Sequence, residues 1–364
     1  MRIFLAMLTI FWPAHSIACG QQSDAAPAGV SRPDQTAAAP IVIAHRGASG
    51  YLPEHTLEAA AFAHALEADY IEQDCVLSKD GIPIVMHDLT LDNLTNVHEV
   101  FPGRQRSDGR FHVLDFTLAE LRQLNVTERR AAGSTGKTSG ARFPIEQGAF
   151  RISTLEEHLQ LIQGLNRSRP HQAGVYVEIK DPRKHREAGL DSSAAILRVL
   201  RQYGYDSADD RIYLQCFDES EVRRLRQDLK CPLPLVWLTS KALSPDQLRE
   251  AKSFCDGLGL LLTLVVTGAD ATGRLETSTI VNEAHAAGLP VHVWTWRSDG
   301  LPKFVRSGNL LLEALTVDAG VDGIFADQPD LVLAWRNQRM QQAGRGNPFR
   351  LLKTANPTAE ATDR

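Results

Sequence analysis

Residues 69–87 read DYIEQDCVLSKDGIPIVMH, in which two apolar runs flank the polar segment SKDG at residues 78–81. Parallel strands need a crossover of about a dozen residues or more, and this segment is far too short for one. An Asp-Gly pair between apolar runs is instead typical of a hairpin turn. The sequence therefore predicts that residues 82–87 fold back antiparallel on residues 69–77.

Further apolar, β-branched runs occur along the chain, and helical or loop-like stretches separate most of them. They predict seven more strands, near residues 41–45, 175–180, 211–216, 233–238, 256–260, 290–295 and 321–325. Strands that alternate with helices are typical of a parallel sheet built from βα units. Because the hairpin counts as one extended unit, eight parallel strands remain, and we expect an α/β fold, a TIM-type (β/α)8 barrel.

The spacing of the strands indicates the domain organisation. Residues 88–174 are much longer than one helix with its loops, and residues 93–150 are rich in Arg, Asp, Gly, Ser and Thr. We therefore expect residues 93–150 to form a small inserted subdomain over the mouth of a barrel that occupies residues 41–335. Residues 336–364 are polar with little apolar periodicity, and we expect a solvated, disordered tail there.

The N-terminus has the pattern of an export signal. An apolar run at residues 3–12 is too short to span a bilayer, and small residues stand at positions 16 and 18, just before Cys19. The pattern resembles a bacterial lipoprotein signal. We expect residues 1–18 to be a signal peptide, Cys19 to be lipidated and residues 19–40 to be a flexible tether. A buried N-terminal helix is the alternative.

The composition argues against several classes of function. The chain carries 39 basic and 44 acidic residues, a formal net charge of −5, and so has no broad basic field for nucleic acid. Its five cysteines contain no CxxC pair, which argues against a thiolate metal site or a redox motif. Cys75, Cys216 and Cys255 lie in or beside apolar runs, where we expect buried free thiols.

Three carboxylates occupy strand positions from which they could share one site. Glu72 and Asp74 are two residues apart, so both side chains point to the same face of the sheet. Such a pair repels itself unless a cation neutralises it, and an all-oxygen site suits Ca²⁺ or Mg²⁺ better than zinc. Glu178 and Lys180 share a face in the same way, so Glu178 could complete a metal site and Lys180 could meet a phosphate. A salt bridge between these two residues is the alternative.

Two histidines belong to the same predicted face. His45 and Arg46 follow the first strand, at the end where barrel enzymes carry their active sites. A structural histidine at a strand end is the alternative for His45. The hairpin brings in His87, because a two-residue turn places it opposite Asp74 and a four-residue loop places it opposite Glu72. Either register sets His87 beside the carboxylates.

This set of side chains has the chemistry that phosphate-ester cleavage requires. A metal ion held by oxygen ligands neutralises the charge that develops on the phosphorus oxygens. One imidazole accepts a proton, and the other protonates the leaving alkoxide. The sequence thus predicts a site for phosphate-ester cleavage at one mouth of the barrel.

Six motifs stand in order along the chain: HRGASGYLPEHT (residues 45–56), YIEQD (70–74), MHD (86–88), EIK (178–180), LQCFD (214–218) and GIFADQP (323–329). Together they resemble the glycerophosphodiester phosphodiesterase family, and most closely its exported bacterial branch, which acts in the periplasm. The resemblance implies a TIM-type barrel of the phospholipase-C-like phosphodiesterase kind with a small insertion, in agreement with the strand pattern.

The resemblance also implies roles for the candidate residues. The catalytic pair is His45 and His87, the metal ligands are Glu72, Asp74 and Glu178, and the phosphate contacts are Arg46 and Lys180. Candidates for the wall of the substrate pocket are Gln215, Phe217, Trp294 and Trp296. The two tryptophans alternate with Thr295 on one strand, so one or both face the mouth, and core packing is the alternative for at least one. The implied cofactor is one divalent cation, Ca²⁺ in preference to Mg²⁺.

We therefore expect a hydrolase of glycerophosphodiesters such as glycerophosphocholine and glycerophosphoethanolamine, which releases sn-glycerol 3-phosphate and an alcohol. The attacking group is either water or the neighbouring glycerol hydroxyl of the substrate, through a cyclic phosphate. The alternatives are a surface lipoprotein that uses the same fold as a binding module or adhesin, and a phospholipase that acts on intact lipids. We expect export to the periplasm with a membrane tether through Cys19, and the oligomeric state stays open.

Overall fold

The computed structural model describes residues 39–130 and 142–342. The predicted signal peptide, the lipidation site at Cys19 and residues 343–364 of the predicted tail lie outside these ranges. No helix within these ranges combines the length and the apolar character needed to cross a membrane.

The described residues form eleven strands: β1 (Ile41–Ala44), β2 (Tyr70–Leu77), β3 (Pro83–Val85), β4 (Gly174–Ile179), β5 (Ile212–Cys216), β6 (Leu235–Thr239), β7 (Gly257–Leu261), β8 (Val266–Ala269), β9 (Leu275–Thr277), β10 (Val291–Trp296) and β11 (Gly323–Ala326). β3 pairs antiparallel with β2, and β8 and β9 pair only with each other among the described strands. The other eight strands are parallel, and β1 pairs with both β2 and β11, which closes the sheet. The predicted eight-stranded barrel is confirmed.

Helices connect most of the strands: α1 (Leu57–Ala65), α2 (Val97–Val100), α3 (Leu118–Leu121), α4 (Leu155–Ser168), α5 (Pro182–Glu187), α6 (Ser192–Gln202), α7 (Glu219–Gln227), α8 (Pro245–Ala251), α9 (Leu262–Val265), α10 (Ile280–Ala286), α11 (Gly308–Glu313) and α12 (Pro329–Gln342). A 3₁₀ turn spans Val113–Asp115, and a π turn spans Ala314–Asp318. Local chemistry sets the helix starts. At α4, Thr154 and Glu157 form a reciprocal capping box that satisfies two backbone amides.

The loop of the β2–β3 hairpin has three residues, so both predicted registers are wrong. Cys75 lies opposite Val85, and Ser78 N donates to the Ile82 carbonyl at 3.0 Å. Gly81 adopts a φ of 75°, the left-handed conformation that glycine allows and that a three-residue hairpin loop uses. The local conformation of this glycine therefore selects the register.

His87 nevertheless returns to the barrel mouth. Met86 N donates to the Asp74 carbonyl at 2.8 Å, which keeps the residue before His87 beside the strand that carries the carboxylates. β3 has already ended at Val85. His87 therefore reaches the mouth from a loop and not from a strand position.

Buried apolar side chains of the described residues form three clusters. Ile43, Tyr176 and Phe325 belong to the small cluster inside the barrel, and the largest cluster joins the strands to the surrounding helices. A third cluster surrounds Phe111 and Phe116 and includes apolar side chains from residues 86–130 and 142–154, the described parts of what we call the β3–α4 segment. The free thiols expected from the sequence are confirmed as buried, and they are Cys75, Cys216 and Cys255, together with Cys231.

The prediction of a disordered tail from residue 336 is wrong for residues 336–342. α12 continues to Gln342, and Arg336 is only 4% exposed. The Arg336 guanidinium pairs with the Asp69 carboxylate and donates to the Pro40 carbonyl at 3.0 Å. A polar composition does not reveal such a buried ion pair, because the partner lies far away in sequence.

Candidate active site

One cavity of about 290 Å³ opens at the C-terminal ends of the barrel strands. Asp74 lies opposite Glu178, and Glu178 lies opposite Gln215, on three neighbouring parallel strands. Residues in register across parallel strands point to the same face, which explains the convergence. The candidate residues that line the cavity are His45, Arg46, Glu72, Asp74, His87, Glu178, Lys180, Gln215, Phe217 and Trp294.

The turn after β1 depends on a glycine. Arg46 has a φ of 56° and Gly47 a φ of 81°, so the backbone reverses just beyond His45. A Cβ atom on Gly47 would lie 2.9 Å from the carbonyl carbon of Ala59, which leaves no room for a side chain. The turn directs the Arg46 backbone amide to the Glu72 carboxylate, at 2.9 Å.

Glu72, Asp74 and Glu178 place one carboxylate oxygen each within 4.8 Å of one another, and all three are buried. Glu72 already accepts a hydrogen bond from Gln215 Nε2 at 2.9 Å. Asp74 Oδ2 accepts one from His55 Nε2 at 2.7 Å, whereas its buried Oδ1 accepts none from the described residues. The three side chains therefore offer oxygen ligands around one point.

The electrostatics of Glu72 and Glu178 match a cation site. Burial, together with the charge of Asp74, raises the pKa of Glu72 well above its ordinary value. Burial also raises the pKa of Glu178 to about 8, against the effect of Lys180. The neighbouring side chains thus do not fully neutralise the negative charge of the carboxylates. A divalent cation, which prefers oxygen ligands, would supply the remaining positive charge. The triad could hold a metal ion.

Two cations lie beside the triad, and both are paired. Lys180 Nζ lies 2.8 Å from Glu178 Oε1, so the salt bridge considered from the sequence is present within the candidate metal site. Arg46 Nη1 donates to both oxygens of Glu54, at 2.9 and 3.1 Å, and Arg46 Nε lies 3.5 Å from Asp74 Oδ2. Arg46 and Lys180 therefore offset only part of the negative charge of the carboxylates around them.

His45 forms a buried pair with Asp327. His45 Nδ1 and Asp327 Oδ1 are 2.6 Å apart, because Ala44 and Ala326 are in register where β1 meets β11. Burial, with a smaller contribution from the charge of Arg46, lowers the pKa of His45 to about 3. The neutral ring therefore donates from Nδ1 to Asp327 and keeps Nε2 as an acceptor.

Asp327 is itself held by two arginines. Arg297 Nε donates to Asp327 Oδ2 at 2.8 Å, and Arg142 Nη2 donates to the same oxygen at 2.5 Å. Although burial opposes it, the surrounding positive charge and the His45 hydrogen bond lower the pKa of Asp327 below its ordinary value. The carboxylate therefore stays ionised beside the imidazole.

His87 forms a second pair of the same kind with its neighbour Asp88. His87 Nδ1 and Asp88 Oδ1 are 2.6 Å apart, and the His87 side chain is 33% exposed. Arg129 donates to both oxygens of Asp88, at 2.8 and 3.1 Å, and also to both oxygens of Glu54. Burial, and further the charge of Arg46, lowers the pKa of His87.

The aromatic wall of the cavity contains Trp294 but not Trp296. Trp294 and Phe217 meet edge to face at 5.3 Å, and Phe217 is 44% exposed. Trp296 is 3% exposed and packs against Gly308, so its assignment to the pocket is wrong. The register between β10 and β11 shifts between Val293 and Trp296, and the two indoles therefore do not share a face.

Several residues that complete this arrangement carried no assigned role at the sequence level: Glu54, His55, Asp88, Arg129, Arg142, Arg297 and Asp327. Two of them had a usable signal. Asp88 is adjacent to His87, and closure of a barrel brings the residue after the last strand, Asp327, beside the residue after the first. The arginines of the β3–α4 segment had no such signal, because the apolar residues of that segment follow no regular spacing.

The sequence model of the Glycerophosphoryl diester phosphodiesterase family matches residues 45–331, from the first candidate histidine to the start of α12. The chain belongs to this family. A glycerophosphodiester phosphodiesterase of Haemophilus influenzae is 38% identical over 319 residues, which cover 80% of this chain and 88% of the relative. The chain is accordingly an enzyme, a phosphoric diester hydrolase that acts on glycerophosphodiesters.

Solved structures of the family share the fold. A protein of Silicibacter pomeroyi superimposes with a TM-score of 0.64 at 25% identity, over 86% of this chain and 97% of the other. A phosphodiesterase of Oleispira antarctica, solved with its product sn-glycerol-3-phosphate, gives 0.56 at 23% identity, over 82% and 96%. The second likeness supports the fold alone.

Proposed function

We propose that the enzyme hydrolyses glycerophosphocholine, glycerophosphoethanolamine and similar diesters with one divalent cation held by Glu72, Asp74 and Glu178. The observation that carries this proposal is the convergence of three buried carboxylates with oxygens within 4.8 Å of one another. A cation bound there supplies a Lewis acid that neutralises charge on the phosphate oxygens. We favour Ca²⁺ over Mg²⁺ because of the proposed export and the resemblance to the exported branch, although all-oxygen sites accept both ions.

We further propose His45 and His87 as the general acid–base pair. Each Nδ1 lies 2.6 Å from a carboxylate oxygen, so the neutral rings present an unprotonated Nε2. One Nε2 accepts the proton of the attacking hydroxyl, from water or from the glycerol moiety. The other takes up a proton from bulk water and donates it to the leaving alkoxide, and the first ring returns its proton to the solvent, so that both rings are neutral again. The products are sn-glycerol 3-phosphate and the free alcohol.

The remaining cavity residues are proposed to bind the substrate. Arg46 and Lys180 would contact the phosphate, because both are cations beside the carboxylates and both line the cavity. Phe217 and Trp294 would form an apolar wall next to them. Gln215 donates to Glu72, and we propose that it orients this carboxylate at the edge of the pocket.

An assay of the purified chain on glycerophosphocholine, before and after exhaustive chelation, tests this function. We expect chelation to abolish turnover and Ca²⁺ to restore it better than Mg²⁺. Glu178→Gln should weaken metal affinity while the melting temperature changes little, because it removes the charge of one ligand from the site. Full activity of a chelated sample in which elemental analysis finds no metal would contradict the metal-dependent mechanism.

The same assay separates the alternatives. A binding module or adhesin is not favoured, because a complete set of histidines and carboxylates lines one cavity. No turnover of any glycerophosphodiester by the metal-loaded chain would restore that alternative. Cleavage of intact phospholipid at a rate above that of glycerophosphocholine would instead favour the phospholipase.

We also propose that the enzyme is exported to the periplasm and tethered to the membrane through Cys19. The support is the apolar run at residues 3–12 and the small residues before Cys19. Mass spectrometry of the protein from its native host should find residues 1–18 missing and a diacylglyceryl group on Cys19. Mature protein that retains Met1 would contradict export.

A further inference from the structure

Two arginines of the β3–α4 segment each contact the aspartate of one histidine–aspartate pair. Arg129 Nη1 and Nη2 donate to Asp88 at 2.8 and 3.1 Å. Arg142 Nη2 donates to Asp327 at 2.5 Å. The two pairs are built from different parts of the chain, yet one segment provides an arginine to both.

We propose that Arg129 and Arg142 are positioning residues, each of which fixes one aspartate so that its histidine presents Nε2 to the cavity. The inference rests on the proposed acid–base roles of His45 and His87. Neither arginine is among the residues that line the cavity, so each acts through its aspartate and not on the substrate.

Arg129 is suited to this role by its planar fork of donors. It donates to Asp88 from Nη1 and Nη2 and to Glu54 from Nε and Nη2, and Glu54 in turn accepts from Arg46. Charges of alternating sign therefore run from Arg46 through Glu54, Arg129 and Asp88 to His87. An ammonium group has no fixed fork and cannot make two bidentate contacts at once.

Arg142 ties the β3–α4 segment to the barrel wall. Its Nε donates to Asp299 at 2.7 Å, and its Nη1 donates to the Ser49 carbonyl at 3.2 Å. Asp327 also has Arg297 as a second cation, whereas Arg129 is the only arginine or lysine within reach of Asp88 among the described residues. Loss of Arg142 should therefore disturb its pair less than loss of Arg129 does.

The test compares Arg129→Ala and Arg142→Ala with Arg130→Ala. Arg130 is a matched control, because it is adjacent to Arg129 but pairs with the exposed Glu146 at 2.6 Å. For glycerophosphocholine hydrolysis by the metal-loaded enzyme, we expect Arg129→Ala to lower kcat by about 10- to 100-fold, with a much smaller change in KM. Arg142→Ala should have a smaller effect on kcat, and Arg130→Ala should match the wild type.

Chemical rescue distinguishes positioning from a structural role. Free guanidinium at a concentration that does not unfold the protein should restore part of the kcat of Arg129→Ala but none of that of His87→Ala. Arg129→Lys should stay impaired, because the charge returns without the fork. Melting curves of all variants establish that they are folded.

The possible failures are distinct. Wild-type kcat in folded Arg129→Ala and Arg142→Ala, with His45→Ala and His87→Ala inactive, overturns the positioning role and leaves the proposed function intact. A kcat loss that guanidinium does not restore and that follows the loss of cooperative melting also overturns it, in favour of a structural role. Full turnover by either histidine variant overturns the acid–base proposal and the positioning role with it.

Discussion

The two histidine–aspartate pairs have the same contact, Nδ1 to a carboxylate oxygen at 2.6 Å, but the chain assembles them differently. His45 and Asp327 are 282 positions apart and meet only because the barrel closes between β1 and β11. His87 and Asp88 are neighbours in sequence on a loop. The first pair is a product of topology, and the second is a product of local sequence.

Their surroundings differ as well. The His45 side chain is 9% exposed and its aspartate 2%, whereas the values for His87 and Asp88 are 33% and 17%. A buried hydrogen bond to an ionised carboxylate is expensive to break, because the carboxylate keeps a desolvated charge. In a partly exposed pair, water can form part of the hydrogen bonding that a lost partner provided. The pairs therefore share a geometry but should not share a sensitivity to mutation.

The largest effect should come from removal of either imidazole. We expect His45→Ala and His87→Ala each to lower kcat on glycerophosphocholine by about 10³- to 10⁴-fold, because no described side chain can replace the proton transfer. Both variants should stay folded, since each histidine lies at the cavity and contributes little core area. Steady-state kinetics and melting curves check this. Near-normal turnover in one variant would remove that histidine from the acid–base pair.

The aspartates should separate the two pairs. We expect Asp327→Asn to lower kcat by about 10³-fold, because an amide permits the wrong His45 tautomer and leaves two arginines without their counter-ion. Asp88→Asn should lower kcat by only about 10²-fold, because water can orient the partly exposed His87. Kinetics and thermal melts of both variants measure the difference. Equal losses of activity and of stability would show that burial does not distinguish the pairs.

The last contrast between the two pairs concerns acid stability and not turnover. The pKa of His45 is lowered to about 3 by burial, so between pH 6.5 and 3 the unfolded chain binds a proton that the folded chain does not. The stability contribution of neutral His45 is complete above pH 6.5 and is lost as the pH falls, by up to about 1.4 kcal/mol per pH unit. Urea unfolding of chelated protein at several pH values measures this. The free energy of unfolding should depend less steeply on pH in His45→Gln than in His87→Gln. The opposite order would contradict the contrast in burial.

Much of this molecule follows from local patterns. Apolar runs with turn residues between them predicted the strands, and the short SKDG segment correctly predicted an antiparallel hairpin. The spacing of Glu72 and Asp74 placed two carboxylates on one face, and the register with Glu178 confirms that convergence. These inferences succeeded because side-chain direction along a strand has a fixed period of two.

Other features depended on conformations that this period does not describe. The hairpin register followed from the left-handed φ of Gly81. Trp296 packs between the strands and the helices and not in the cavity, because the pairing of β10 with β11 shifts near it. Arg336 is ordered and not part of a disordered tail, because it pairs with the carboxylate of Asp69, which is remote in sequence. Each error arose where a single local deviation or a remote partner overrode the regular pattern.

The sequence by itself determined the barrel, its hairpin and the chemical identity of the groups at its mouth, since all three are properties of short stretches of chain. Only the tertiary structure decided which aspartate serves which histidine. Asp327 reaches His45 through closure of the sheet, and Arg129 and Arg142 reach their aspartates through the packing of a segment without a regular period. Contacts between residues far apart in sequence depend on how the whole chain encloses its core, and no local period encodes them.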